Sequence, residues 1–185
     1  MPAVICLDAG HSGAIEPGVV IPPWTEAKLN LILTLAVGVI LQGYGYKLIY
    51  TRRGEVDNDL LGWRATLANE SDASAFISTH CNGYDNPAAN GVETYYAPNS
   101  RRGYHLATAI QANLVTLNYT RNRGIKEANY YVLTATHAPA VLIECGFMSN
   151  PADLTFLTNP KKQLDIANAI ATGIMDWLKQ DSNNL

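Results

Sequence analysis

The sequence predicts an α/β protein: a single domain in which a mostly parallel, twisted sheet of about six strands is flanked by helices on both faces. Short apolar runs alternate along the chain with longer stretches in which apolar residues recur at helical spacing. The length of 185 residues suits one domain, which would bury about 70% of its unfolded surface. A composition of 48% hydrophobic and 16% charged residues is that of an ordinary folded globule.

The amino-terminal half of the chain predicts a βαβαβ unit, which favours parallel strands joined by helices. Its elements are a strand over 4–8, a helix over 26–42, a strand over 47–51, a helix over 59–69 and a strand over 75–79. The first helix has the clearest ends, because Thr25 can cap its amino terminus and Gly43 can terminate it.

The carboxyl-terminal half follows a loop rich in Asn, Pro and Gly over 81–90. The elements predicted there are a strand over 92–96, a helix from a Ser100 cap to about 117, strands over 130–133 and 140–143, and a long final helix. The final helix has Asn159 as its cap, Pro160 as its first residue and a buried stripe that includes Leu164.

Net charge and cysteine content exclude several classes of protein. A formal charge of −3 and a pI near 5.7 leave no basic surface for a phosphate backbone, so nucleic acid is not an expected partner. Three cysteines without CxxC or Cys-His spacing favour neither a disulfide framework nor a structural zinc site. We expect Cys6, Cys81 and Cys145 to be small buried core residues.

No stretch of about 18 apolar residues predicts a membrane span, and no signal peptide precedes the first strand. These features favour a protein made in the cytoplasm and released by lysis, with a secreted protein whose signal has been removed as the alternative. We expect the domain to occupy 1–179 and the polar residues 180–185 to form a tail or the start of a linker.

Four polar residues fall where a strand ends or a helix begins: His11, Glu26, His80 and Glu144. If the strands are parallel, their carboxyl ends lie at one edge of the sheet, where open α/β sheets bind ligands. Two imidazoles and a carboxylate are a ligand set of catalytic zinc sites, and a further carboxylate can serve as acid and base. We therefore assign His11, Glu26 and His80 as candidate metal ligands and Glu144 as the candidate catalytic residue.

A cysteine hydrolase is an alternative, since Cys81 adjoins His80 and could act as a nucleophile. Neighbouring residues of an extended strand point to opposite faces. If His80 and Glu144 face the cleft, Cys81 and Cys145 therefore face the core, which argues against this alternative.

Other polar residues have simpler explanations. Arg52, Arg53 and Arg64 could bind an acidic substrate, but ion pairs at helix surfaces or strand ends are the favoured assignment. We expect His105 and His137 to lie on the surface.

The candidate residues lie within an ordered series of motifs that spans nearly the whole chain. The series comprises ICLDAGHSG at 5–13, TEAKLNLIL at 25–33, YTRRGEVDNDLLGWRATLAN at 50–69, ISTHCNG at 77–83, NGVETYY at 90–96, YYVLTATHAPAVLIECGFMSNPADLTFL at 130–157 and IANAIATGI at 166–174. By this series the chain resembles the zinc-dependent N-acetylmuramoyl-L-alanine amidases of the type 3 class, found in bacterial cell-wall hydrolases and phage endolysins.

The resemblance implies one Zn²⁺ per chain held by His11, Glu26 and His80, with Glu144 as the catalytic carboxylate. Asn82, close behind His80, is the candidate for positioning the substrate, with a role as a turn residue as the alternative. The implied reaction is hydrolysis of the amide that joins the lactyl group of N-acetylmuramic acid to L-alanine. The implied partner is peptidoglycan.

The chain departs from the family pattern near the site. Ser12 stands where the family usually has Gly, and Glu16 is a carboxylate that competes with Glu26 as a ligand. Some relatives carry a long covering helix after the second His. The interval from His80 to Gly91 is too short for one, so we expect an open cleft, a monomeric domain and no need for an activator.

Two other functions stay open at this point. The same metal site could belong to a zinc peptidase that cuts within the stem peptide. Alternatively, the chain could be a non-catalytic module that binds cell walls. The groups released from peptidoglycan distinguish the three.

Overall fold

The structure, a computed structural model, describes residues 3–55 and 61–182 of the chain. The strands are β1 (Val4–Ala9), β2 (Val20–Ile21), β3 (Trp24–Thr25), β4 (Lys47–Tyr50), β5 (Ala75–Asn82), β6 (Val92–Tyr96), β7 (Asn122–Glu127) and β8 (Ala140–Phe147). The helices are α1 (Glu26–Gly43), α2 (Leu61–Glu70), α3 (Arg101–Val115), α4 (Tyr131–Thr134), α5 (Pro151–Thr158) and α6 (Pro160–Ser182). The start predicted for the second helix, at residue 59, lies outside the described residues.

The main sheet has six strands in the order β4-β1-β5-β8-β6-β7. β1 pairs in parallel with β4 and β5, and β5 pairs in parallel with β8, as βαβ connections require. β6 is parallel to β7 but antiparallel to β8. The prediction of a mostly parallel sheet is confirmed, and β1, β5 and β8 place their carboxyl ends side by side.

Side chains of the sheet alternate between two apolar layers. The larger layer includes Ile5, Ile77 and Val141 and packs against α1, α3 and α6. The smaller layer includes Phe76 and Leu142 and packs against α2 and α4. Helices therefore cover both faces, as predicted, and the face beneath α2 and α4 also carries the polar site.

The strand predicted over 130–133 is wrong. These residues lead into the short helix α4, in which the amides of Leu133 and Thr134 both donate to the carbonyl of Tyr130, at 2.9 and 3.1 Å. The sixth strand is instead β7, which the sequence pattern did not predict. β7 lies at the edge of the sheet and carries polar side chains such as Arg123 and Lys126, so it lacks the apolar run of a buried strand.

The predicted ends of two strands are also wrong. β5 and β8 continue beyond residues 79 and 143, because their parallel pairing extends through His80 and Glu144 to Asn82 and Phe147. His80 and Glu144 therefore lie within the sheet, near its carboxyl edge, rather than in loops.

The long helices mostly agree with prediction. The Asn159 side chain accepts hydrogen bonds from the amides of Lys161 (3.0 Å) and Lys162 (3.2 Å), as its cap role requires. Leu164, predicted in the buried stripe of α6, is 51% exposed. α6 reaches Ser182, so part of the predicted tail is helical, whereas the domain boundary at residue 179 stays a prediction.

Within the described ranges, α1 is the one helix whose 18 residues and mean hydropathy of 1.3 would suit a membrane span. Half of it is buried inside the protein, where it packs against β5 and α6.

Candidate metal and acid–base site

Glu26 is held at the first position of α1. The Thr25 hydroxyl accepts a hydrogen bond from the Lys28 amide at 3.3 Å, which caps the helix at this residue as predicted. The Glu26 carboxylate is buried and accepts hydrogen bonds from the amides of Val19 (3.1 Å) and Cys81 (3.3 Å). These donors and the helix dipole favour an ionised carboxylate.

His11 lies in the loop after β1 with a φ of 63°. Two buried arginines fix this loop, since Arg64 donates to the His11 carbonyl (2.8 Å) and Arg52 to the Gly10 carbonyl (2.9 Å). Arg64 also forms an ion pair with Asp8 at 2.6 Å, at the end of β1. The ion pair expected from the sequence thus exists for Arg64. It is buried, and it holds the loop that carries His11 against the end of β1.

His80 and Glu144 are paired residues of β5 and β8. The neighbours Cys81 and Cys145 are fully buried in the larger apolar layer, so His80 and Glu144 face the other side of the sheet. This alternation is the one expected from the sequence.

The structure brings His11, Glu26 and His80 together around the Glu26 carboxylate. His11 Nε2 lies 2.9 Å from Glu26 Oε2, and His80 Nδ1 lies 2.9 Å from Glu26 Oε1. One nitrogen or oxygen of each residue lies within 4.8 Å of the others. Three predicted ligands from three separate parts of the chain therefore form one cluster.

The pKa values of the cluster reflect these contacts. Burial lowers the pKa of His11, but its hydrogen bond to Glu26 and the contact with Glu16 raise it overall to about 9. Burial also lowers the pKa of His80, and Glu26 and Glu144 bring it above the usual value. For Glu26, burial raises the pKa, whereas the two imidazoles bring it well below the usual range. The site thus favours positive charge next to the Glu26 carboxylate.

Glu144 is the second carboxyl group of the site. Its Oε2 atom is buried, and no hydrogen-bond donor among the described residues reaches it. Burial raises the pKa of Glu144 to about 7, with His80 acting against and the Glu26 and Glu93 carboxylates adding to the rise. A buried oxygen without a partner is unusual in a folded protein, and a carboxyl group with a raised pKa in a cleft is a candidate functional group.

The donor set fits a divalent metal ion. Two imidazoles and one carboxylate are a known set for catalytic Zn²⁺. Two glycines leave room for the ligand side chains: a Cβ atom on Gly10 would lie 2.2 Å from His80 Nε2, and one on Gly18 would lie 2.5 Å from Glu26 Oε2. Gly18 also has a φ of 65°, which side-chain-bearing residues rarely adopt.

Glu16 contacts His11 as well, but through Nδ1, the ring nitrogen opposite the one that faces Glu26. The two carboxylates therefore do not occupy equivalent positions around His11. Glu26 lies between the two imidazoles, whereas Glu16 lies on the outer side of one ring.

Asn82, the predicted substrate-positioning residue, lines the cleft beside the cluster. Its side-chain amide donates to Glu93 at 3.1 Å, and its oxygen accepts from the Gly83 amide at 2.8 Å. Glu93 is buried and also contacts Arg123 and Lys126 on β7. This buried network is not among the features predicted from the sequence, although a charged Glu93 within the apolar strand run 92–96 is a signal that indicates it.

A cleft of about 580 Å³ opens over the cluster. Its floor includes His11, Glu26, His80 and Glu144, and its sides include the following residues: Val19, Leu61, Asn82, Tyr130, Tyr131 and Leu142. The exposed rings of Tyr130 and Tyr131 form an apolar rim. Such a cleft, apolar at the side and charged at the floor, suits a ligand with both kinds of surface.

The cysteine-hydrolase alternative does not fit this geometry. Cys81 is fully buried, and burial raises the pKa of its thiol well above the usual value, so no nucleophilic thiolate is presented to the cleft. Cys6 and Cys145 are buried and free, as expected. His105 and His137 are exposed, which also agrees with prediction.

Known proteins resemble this chain in sequence and in fold. The chain is 38% identical over 144 residues to an uncharacterized cell wall amidase of Bacillus anthracis, and 33% identical over 184 residues to the N-acetylmuramoyl-L-alanine amidase LytC of Bacillus subtilis. These alignments cover 74% and 95% of this chain, but only 27% and 35% of the two relatives.

A solved structure of the CwlD amidase from Clostridioides difficile, in complex with the GerS lipoprotein, superposes with a TM-score of 0.91. It is 31% identical, and the match covers 96% of this chain and 99% of that one. The family described as N-acetylmuramoyl-L-alanine amidase matches residues 5–176. The chain therefore belongs to the N-acetylmuramoyl-L-alanine amidase family.

Proposed function

We propose that this protein hydrolyses the amide bond between N-acetylmuramic acid and L-alanine in peptidoglycan, with one Zn²⁺ as cofactor. The observation that supports this most directly is the cluster of His11, Glu26 and His80 on the floor of an open cleft, with the unpartnered oxygen of Glu144 beside it. When bound, Zn²⁺ supplies positive charge that polarises a carbonyl group and acidifies water.

Glu144 acts first as a base and then as an acid. Its carboxylate takes a proton from the attacking water, and the protonated carboxyl then delivers that proton to the amide nitrogen. The water oxygen bonds to the carbonyl carbon, the C–N bond breaks, and the nitrogen leaves with that proton as the amine of L-alanine. The lactyl group keeps the water oxygen as a carboxylic acid, which ionises by losing the second water proton. The position of Glu144 Oε2 suits both steps, because no donor among the described residues is hydrogen-bonded to it.

Asn82 positions the substrate from the side of the cleft. Its contacts with Glu93 and Gly83 fix the orientation of its amide group before the substrate arrives. The apolar rim at Tyr130 and Tyr131 gives the sugar rings and methyl groups of the substrate a surface to contact.

The protein acts on the bacterial cell wall as a monomeric domain, 1–179, without an activator. Supporting this, no helix lies between β5 and β6 in the part of the chain that the structure describes, so the cleft has no covering element there. The related CwlD amidase is known in complex with the GerS lipoprotein, which makes the activator question one for experiment.

The experiment is a digest of purified peptidoglycan with the purified protein, before chelation, after chelation and after Zn²⁺ is restored. We expect release of intact stem peptides with a new amino-terminal alanine, loss of release on chelation and recovery with Zn²⁺. Variants His80→Ala and Glu144→Gln should release nothing measurable, and no second protein should be needed.

The other outcomes identify the alternatives. A new amino terminus other than alanine would indicate a peptidase that cuts within the stem peptide. Binding to walls without release of any fragment, unchanged by His80→Ala, would indicate a binding module. Release that begins only after a second protein is added would contradict activator independence but leave the chemistry intact.

A further inference from the structure

Glu16 is a charged residue of the cleft to which the proposed reaction gives no role. Its carboxylate contacts Nδ1 of His11, while Nε2 of the same ring lies 2.9 Å from Glu26 Oε2. His11 is therefore held between two carboxylates, one at each ring nitrogen. The other oxygen of Glu26, Oε1, lies 2.9 Å from Nδ1 of His80, so Glu26 connects the two imidazoles and Glu16 contacts only His11.

The loop that carries Glu16 is built to hold it there. The Glu16 carbonyl accepts hydrogen bonds from the amides of Ser12 (3.1 Å) and Gly13 (3.4 Å), which closes the loop directly after His11. The Glu16 side chain is 43% exposed, compared with 6% for Glu26, so it lies at the outer margin of the cluster.

A neutral imidazole has one N–H and one free nitrogen, and only the free nitrogen can bind a metal ion. A carboxylate that accepts from one N–H therefore decides which nitrogen is left for the metal, and it fixes the plane of the ring. The position of Glu16 at Nδ1 leaves Nε2, the nitrogen directed at Glu26, as the ligand atom.

We propose that Glu16 is a positioning residue that accepts a hydrogen bond from Nδ1–H of His11 and so directs Nε2 to the metal ion. Glu16 is thus not a fourth protein ligand and not a substitute for Glu26. This inference rests on the metal site of the proposed function, but it does not depend on which bond the protein cleaves.

The test compares Glu16→Ala and Glu16→Gln with a matched control, Glu55→Gln. Glu55 is an exposed carboxylate beside the same loop, since a Cβ atom on Gly13 would lie 2.6 Å from its Cγ. The control thus removes the same charge near the site without removing a contact to His11. Thermal unfolding of each metal-free variant checks that the fold is retained.

Zinc affinity is the first readout, measured by competition with a chromophoric chelator. Loss of a carboxylate partner of a metal-binding His typically weakens metal binding by about 10- to 100-fold, which we expect for Glu16→Ala. Glu16→Gln should weaken binding by less, about threefold to tenfold, because its amide oxygen still accepts from Nδ1–H. Glu55→Gln should bind as the unaltered protein does, and all variants should still bind one ion at saturation.

The ring nitrogens of His11 give the second readout, by NMR of protein labelled with ¹⁵N-histidine and loaded with Zn²⁺. The His11 signals are those missing from a His11→Gln variant. We expect a protonated Nδ1 with a slowly exchanging proton, and fast exchange of that proton in Glu16→Ala. A metal-bound Nδ1 in the unaltered protein would overturn the proposal.

Two further results would overturn it. One is unchanged zinc affinity in Glu16→Ala. The other is a Glu16→Ala variant that binds less than one ion per chain and whose Co²⁺-loaded form has a changed visible spectrum. That result would make Glu16 a direct ligand. Weakened zinc binding in a protein that releases nothing from peptidoglycan would uphold this inference and reject the proposed function, so the two failures are distinguishable.

Discussion

His80 and Glu144 lie opposite each other in the register of two parallel strands, β5 and β8. Hydrogen bonds of the sheet, rather than a loop, therefore set the spacing between a candidate ligand and the candidate acid–base residue. On the other side of β8, Glu144 pairs with Glu93 of antiparallel β6. The active face is thus a row of three charged or titratable residues on three adjacent strands, which gives the rigid support that catalytic groups require.

Glu144→Gln should abolish amide hydrolysis without loss of zinc. General acid–base catalysis contributes about 10²- to 10⁴-fold, so the rate of stem-peptide release should fall by at least that factor. Thermal stability should not fall, because a neutral amide of the same shape replaces a carboxyl group whose ionised form is disfavoured by burial. Glu70→Gln, on the exposed surface of α2, is the control. Normal release by Glu144→Gln would show that another group moves the proton.

Gly10→Ala should disrupt the metal site. The added Cβ would lie 2.2 Å from His80 Nε2, so the imidazole must move, and we expect a cost of about 1–3 kcal/mol in stability or in zinc binding. Gly43→Ala is the matched control, since its Cβ would have no neighbour within 4 Å. Calorimetric titration with Zn²⁺ and thermal unfolding of both variants check this. Equal zinc affinities and equal stabilities would show that the loop after β1 can move to accommodate the added Cβ.

Arg64→Met should lower the free energy of unfolding by about 3–5 kcal/mol, because it leaves Asp8 as a buried carboxylate without its ion-pair partner. It also removes a donor to the His11 carbonyl, so zinc affinity should fall as well. Arg53→Met is the control, since Arg53 is exposed and lies over the ring of Tyr50, and surface changes usually stay within about 0.5 kcal/mol. Urea unfolding measures both variants.

Protonation of Glu93 should lower the stability of the protein in acid. Burial alone would raise the pKa of Glu93, but hydrogen bonds from Lys126, Arg123 and Tyr95 bring it below the usual value of 4.5. The ionised group therefore stabilises the fold fully above pH 4.5, and this contribution is lost as the pH falls through the lower folded-state pKa. Glu93→Gln should be less stable at pH 7 and should lose less stability between pH 5 and pH 3. Urea unfolding across this range measures the free energy of unfolding against pH. Equal slopes for the unaltered protein and for Glu93→Gln would contradict the assignment.

Asn82→Ala tests the substrate role assigned to Asn82. A hydrogen bond contributes about 0.5–1.5 kcal/mol, so kcat/KM for peptidoglycan fragments should fall about threefold to tenfold while zinc affinity stays constant. Asn86→Ala, in the exposed loop that follows, is the control. A loss of zinc affinity in Asn82→Ala would indicate that the residue supports the metal site instead.

Much of the architecture could be predicted from sequence because local chemistry and tertiary packing agree there. The first residues of α1 and α6 follow from Thr25 and Asn159, whose side chains cap the amino termini of the two helices. The buried cysteines and the outward direction of His80 and Glu144 follow from strand alternation, since a period of two admits only one arrangement once the core face is known.

Other features depend on partners distant in sequence. β7 is an edge strand with charged side chains, and only its pairing with β6 reveals it. The residues of α4 resemble a strand because aromatic and β-branched side chains such as Tyr131 and Val132 favour one. Arg52 carries no local sign of burial, since its partners include backbone carbonyl groups distant in sequence, those of Ala9, Gly10 and Ala27.

The reversed direction of β6 places its first residues, rather than its last, at the edge of the sheet where β5 and β8 end. The segment 83–91 therefore joins the end of β5 to the start of β6 past the intervening β8, and it contributes none of the three clustered ligands. A change in the length or sequence of this segment should therefore leave the three ligands in place, because each of them is held by another part of the chain.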